Sequence, residues 1–314
     1  MKNFLRICQK TQAEVKKYMK SYLETSKYKV ICEDGFLYAK GTVPVLLVAH
    51  MDTVHKDLCK DIAIEGDKVS SPQGIGGDDR CGIYIIRELV KTFRCSVLLC
   101  EDEERGCIGA TKFTKTDYIH NLGVNYMIEF DRKGSNDAVF YTCGNQEFIN
   151  HVLDFTGYKR AYGTFSDISS LMPISKICGV NLSSGYYNPH TTSEYVMFEE
   201  MIETLNAAKA LIKAECSAPF EYKIASYSYS SYGYSSGYSS GYTKPDPKPT
   251  PPAKKSIVDI AREDTMLELE ALIIKRGEEI ALSATGSTKM ECWFNLFMEN
   301  PEICLNDVFD YTIV

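Results

Sequence analysis

No apolar run in this chain approaches the roughly 18–20 residues needed to cross a bilayer, so a membrane-spanning helix is not expected. The opening segment MKNFLRICQKTQAEVKKYMK has neither the continuous apolar stretch nor the small-residue cleavage site of a secretory signal. Its apolar residues recur at helical spacing among lysines, and a cytoplasmic location is the expectation. Positive charge is not in excess: 35 lysines and arginines stand against 42 acidic residues, a formal charge of −7. That balance argues against nucleic-acid binding, which needs a basic face. The twelve cysteines include no CxxC pair and no regular spacing, which sets aside a disulfide scaffold. Cys95 and Cys100 bracket an apolar segment and are expected to be small buried hydrophobes.

The remainder is ordinary for a soluble protein, with 44% hydrophobic and 25% charged residues. A length of 314 residues accommodates one substantial core, or a catalytic domain with a small appendage. Residues 1–217 alternate short β-rich runs with helical patterns, the signature of an α/β domain. VPVLLVAH, SVLLCE, NYMIEF and KICGVNL are the strand candidates, apolar enough to be buried on both faces of a largely parallel sheet. Helices are expected over 3–23, over CGIYIIRELVKTF after Arg80, and from Phe198, where Met201, Leu205, Ala208 and Ile212 share one face.

Residues 218–255 read as a tether. GYSSGYSSGY repeats a four-residue unit, and KPDPKPTPPAKK places five prolines in twelve positions. Residues 256–314 read as a small helical module, with Ser256 and Asp259 as a capping pattern and Gly277 as a helix stop. A module of that size is marginal as an isolated fold, and docking to a protein partner or self-association is one role for it.

Chemistry concentrates at the ends of the strand candidates. His50 closes VPVLLVAH, and Asp52, two residues on, can hold its imidazole in the tautomer that a metal requires. GIGGDDRCG places Asp78 and Asp79 at a helix start, where capping alone explains one aspartate but not two after so much glycine. No GK[ST] follows, and paired carboxylates would repel a phosphate. The acidic run EDEERG follows SVLLC directly, and carboxylates that close together call for a cation. Asp131 follows NYMIEF, and His190 lies in the loop beyond KICGVNL. Imidazole nitrogens mixed with carboxylate oxygens suit a borderline metal such as zinc, and five ligands serve two ions if one carboxylate bridges.

The order HxD, GxDDRxG, DEExG, D, NxH resembles that of the co-catalytic zinc exopeptidases, a group that includes peptidase T-like and bacterial zinc aminopeptidase-like enzymes. The resemblance spans about residues 40–200. It implies two zinc ions, with cobalt or manganese as substitutes. Asp78 would bridge them, His50 and Asp131 would complete one site, and Glu104 and His190 the other. Glu103 would be the general base, Asp52 would orient His50, and Asp79 would cap or hydrogen-bond. His55, His120 and His151 match no motif and are read as solvated or structural. Only 27 residues separate His50 from Asp78 and 58 separate Asp131 from His190, too few for the lid domain of many relatives. Arg105 or Arg132 would then have to capture any substrate carboxylate. The activity so implied is removal of N-terminal residues from peptide substrates. A carboxypeptidase or an N-acyl amino acid deacylase would use the same centre, and a non-catalytic binding module or interaction scaffold would use only the fold.

Overall fold

The computed structural model describes residues 1–214 and 216–225. Its strands are β1 (Val30–Glu33), β2 (Phe36–Ala39), β3 (Val43–His50), β4 (Ala63–Glu65), β5 (Lys68–Ser70), β6 (Cys95–Cys100), β7 (Tyr126–Arg132), β8 (Asp137–Val139), β9 (Lys159–Ala161), β10 (Gly179–Ser183), β11 (Tyr186–Tyr187) and β12 (Tyr195–Met197). Its helices are α1 (Lys2–Cys8), α2 (Gln12–Thr25), α3 (Gly77–Leu89), α4 (Ile108–Phe113), α5 (Gln146–Thr156), α6 (Asp167–Ser175) and α7 (Phe198–Lys213).

Eight strands form the main sheet in the order β1-β2-β6-β3-β7-β10-β8-β9. The middle four, β6, β3, β7 and β10, run parallel, as their continuous apolar character implies. Every residue of β6 is buried, Cys95 and Cys100 included. Antiparallel strands flank this block at both edges. From β3 the chain passes to β6 on one side, then returns to place β7 on the other. Open α/β sheets bind ligands at such a reversal, outside the carboxyl ends of the strands. The register fixes who meets there: His50 lies opposite Cys100, and Val48 opposite Glu129, which brings Asp131 level with His50 two residues later. A smaller antiparallel sheet, β11-β12-β5-β4, carries the loop that contains His190.

The helix expected over 3–23 is divided. Thr11 accepts the Glu14 N–H while Glu14 accepts the Thr11 N–H at 2.8 Å, a capping box that starts α2 afresh. In α3, Asp78 and Asp79 depart from helical dihedrals, so the regular helix starts after the pair. The α7 face expected from Met201, Leu205, Ala208 and Ile212 is buried.

Residues 218–225, assigned to the tether by composition, form a strap on the domain. Cys178 and Gly144 donate backbone N–H groups to Phe220 and Lys223, and Phe220 packs on Phe148 and Tyr126. The rest of the tether and the expected module at 256–314 lie outside the described residues. No helix among the described residues is long and apolar enough to cross a membrane.

Candidate metal centre

His50 sits at the end of β3 with its ring buried. Its Nδ1 lies 3.1 Å from Asp52 Oδ1, and its Nε2 lies 3.0 Å from Asp78 Oδ1 and 3.6 Å from Asp131 Oδ1. The Nε2 of His190 lies 3.2 Å from Asp78 Oδ2 and 3.0 Å from Glu104 Oε1. Asp78 therefore offers one oxygen to each histidine. The ligand atoms of His50, Asp78 and Asp131 all lie within 4.8 Å of one another, and so do those of Asp78, Glu104 and His190. The five side chains singled out by the sequence converge as two groups that share Asp78.

Asp52 does more than orient His50. Its oxygens also accept the N–H groups of Glu103 and Glu104, at 3.0 and 3.1 Å. One carboxylate thus ties the end of β3 to the turn after β6, and the acidic run divides accordingly. Glu101 turns away to accept Lys16 Nζ at 2.7 Å and the Gly35 N–H at 2.8 Å. Glu103 is buried at the turn, with the Cys107 thiol donating to its Oε1 at 3.5 Å. Asp131 accepts from the Tyr186 and Ser166 hydroxyls, each at 3.2 Å, and Asn181 brackets its backbone from β10.

Glu194 was not singled out in the sequence, yet it holds the aspartate loop. Its side chain is fully buried and accepts the N–H groups of Gly76 at 2.8 Å and Asp78 at 3.0 Å, with His55 Nε2 at 2.7 Å. His55 therefore has a structural partner, whereas His120 is exposed. His151 packs among Tyr126, Phe155 and Phe220. The glycines before Asp78 have a steric cause. A Cβ on Gly74 (φ +86°) would lie 2.1 Å from the His55 ring, and one on Gly77 would lie 2.7 Å from Tyr186 and Val196. Only a bare backbone lets this loop press against the residues that aim it. Asp79 accepts the Gly82 N–H at 2.8 Å and the His50 N–H at 3.3 Å, a capping role that also reaches β3.

Charge at the centre is unbalanced. Burial, reinforced by Asp78, pushes Asp131 up to about 7 and Glu104 up to about 7. Burial, reinforced by Asp131 and Asp78 against the opposing His50, likewise pushes Glu103 up to about 7. Burial works against a charged His50, but hydrogen bonds to Asp131, Asp52 and Asp78 outweigh it and hold the imidazole well above its ordinary value. The Asp78 hydrogen bond raises His190 to about 9. Burial alone would raise Asp78, and His190 and His50 hold it below the carboxylate range instead. Among the described residues no lysine or arginine pairs with Asp78, Glu104 or Asp131; their ion-pair partners are the two imidazoles. Two imidazoles and three carboxylates sharing one oxygen pair fit a pair of divalent cations of borderline softness.

No family model matches the chain, and no curated protein matches it. Solved structures do share its fold. Aminopeptidase PepT from Bacillus cereus superposes with a TM-score of 0.55 at 15% identity, covering 67% of this chain and 96% of that one. A tripeptidase from Staphylococcus aureus gives 0.55 at 14% identity over 67% and 96%. An aminopeptidase from the archaeon Desulfurococcus kamchatkensis gives 0.51 at 12% identity over 67% and 94%. The described residues share the α/β fold of these three structures.

Proposed function

We propose that the chain is a two-zinc exopeptidase that removes N-terminal residues from peptides. The observation that carries this reading is the Asp78 carboxylate, shared by two converging ligand groups beside the buried Glu103. His50, Asp78 and Asp131 would hold one ion, and Asp78, Glu104 and His190 the other. Bound zinc supplies Lewis acidity, which lowers the pKa of water and polarises the peptide carbonyl.

Glu103 accepts the proton of the attacking water and delivers it to the leaving amine. Burial raises its pKa to about 7, where it would be able both to take and to return a proton. Asp52 fixes the His50 tautomer and, through the Glu103 N–H, the position of the base. Glu194 and His55 hold the loop that presents Asp78.

Two observations favour an aminopeptidase over a carboxypeptidase. The fold is shared with proteins named aminopeptidase and tripeptidase. Arg105 and Arg132, the expected anchors for a substrate carboxylate, face Asp102 at 3.7 Å and Asp137 at 3.2 Å instead. The test is the zinc-loaded full chain with matched peptides carrying free or acetylated amino termini. Stepwise release of N-terminal residues from the free peptides supports the reading. Turnover of the acetylated series alone would replace it with a deacylase, and release from the carboxyl end with a carboxypeptidase.

A further inference from the structure

Two thiols meet beside the strap. Cys143 lies in the turn after β8, where its N–H bonds to the Phe140 carbonyl at 2.9 Å, and Cys178 immediately precedes β10. Both are fully buried, and the Cys143 Sγ donates to the Cys178 Sγ at 3.3 Å. The Cys178 thiol donates onward to the Glu221 carbonyl at 3.3 Å. The strap bridges the segments that carry these cysteines. Cys178 N–H bonds to Phe220, Tyr222 N–H to Lys176, and Gly144 N–H to Lys223, at 2.9, 2.9 and 2.7 Å.

We propose that Cys143 and Cys178 are a covalent modification site, closing into an intramolecular disulfide by exchange with a low-molecular-weight disulfide. Closing the bond brings the sulfurs from 3.3 Å to about 2.05 Å. One thiol, as its thiolate, attacks the oxidant, forming a mixed disulfide and releasing one small thiol. The second then attacks the protein sulfur of that mixed disulfide and releases the other. Two protein thiols are oxidised, one small disulfide is reduced to two thiols, and these carry away the two protons. Both cysteines are buried and the strap bonds to the Cys178 sulfur, so exchange proceeds when the strap lifts and the product joins the two segments on which it lies. Cys178 gives up a weak S–H bond to Glu221 in return for a covalent link. Tyr141, two residues before Cys143, accepts from Asn181 at 2.9 Å, and Asn181 brackets the Asp131 backbone, so the segment carrying Cys143 adjoins a candidate ligand.

The test treats the folded full chain with glutathione disulfide, alkylates the remaining thiols and maps peptides without reduction. The expected product is a single cross-linked peptide pair containing Cys143 and Cys178, absent from Cys143→Ser and Cys178→Ser. Oxidised protein should melt about 5 °C or more above the reduced form, and the Gly144 and Tyr222 amides should exchange about tenfold more slowly. Alkylation of both cysteines after treatment, their recovery as separate glutathione adducts, or pairing with other cysteines would overturn the proposal. Wild-type mapping alone decides between these, so a variant that misfolds does not obscure the result. None of the readouts depends on peptidase activity.

Discussion

At the scale of single residues, the proposed centre separates groups that would bind from groups that aim. Replacing Glu103 with Gln preserves the ligand groups and removes the proton acceptor. Turnover should fall by about 10²–10⁴-fold while zinc content stays unchanged; equal losses of both would reassign Glu103 to binding. Glu194→Gln weakens the acceptor for the Gly76 and Asp78 N–H groups and leaves His55 without its carboxylate. A zinc competition titration should show affinity about 10–100-fold lower, and an unchanged value would make Glu194 a packing residue only. The candidate ligands were legible only together: His50, Glu104 and Asp131 lie at or just past apolar strand candidates, Asp78 at a glycine-rich helix start and His190 in a later loop, and their order along the chain carried the reading. Glu194 was not, because its partners are backbone N–H groups and a histidine 139 positions away, brought together only by the fold.

Among the elements, the parallel strands were the most readable, since burial on both faces writes itself as an unbroken apolar run. The break between α1 and α2 was readable too, in Thr11 and Glu14, but periodicity continued across it and concealed the cap. The small sheet and the hairpin of β1 and β2 have short strands, and distant pairings of β12 with β5 and of β2 with β6 fix their places. At the head of α3, a Cβ on Gly82 would lie 2.4 Å from the Asp79 carboxylate, itself fixed by two backbone N–H groups. Gly82→Ala should therefore cost about 1–3 kcal/mol by thermal or urea unfolding, despite the higher helix propensity of alanine. A neutral or stabilising effect would mean that the Asp79 contact to β3 is dispensable.

For the molecule as a whole, charge and chain length set the testable behaviour. Without bound cations, Glu103, Glu104 and Asp131 sit at about 7 and His190 at about 9, against about 4 and about 6.5 in an unfolded chain. Raised values mean that the fold binds more protons than the unfolded chain, so metal-free stability should decline as pH rises from about 4 to about 9. The lowered values of Asp52 and Asp78 act only below the ordinary carboxylate range and leave that window unaffected. Melting curves at pH 5.5 and 8 should show the decline, and zinc should reverse it at the higher pH. Ending the chain at 217 removes Phe220 from its contacts with Phe148, Tyr126 and His151, at a cost of about 3 kcal/mol or more. A chain ending at 225 should retain both stability and turnover, and its sedimentation beside the full chain tests whether 256–314 mediates self-association. The most direct measurement of all is anomalous scattering at the zinc edge from crystals of the zinc-loaded protein. Two peaks are expected, one among His50, Asp78 and Asp131 and the other among Asp78, Glu104 and His190; a single peak, or zinc bound elsewhere, would contradict a two-metal centre.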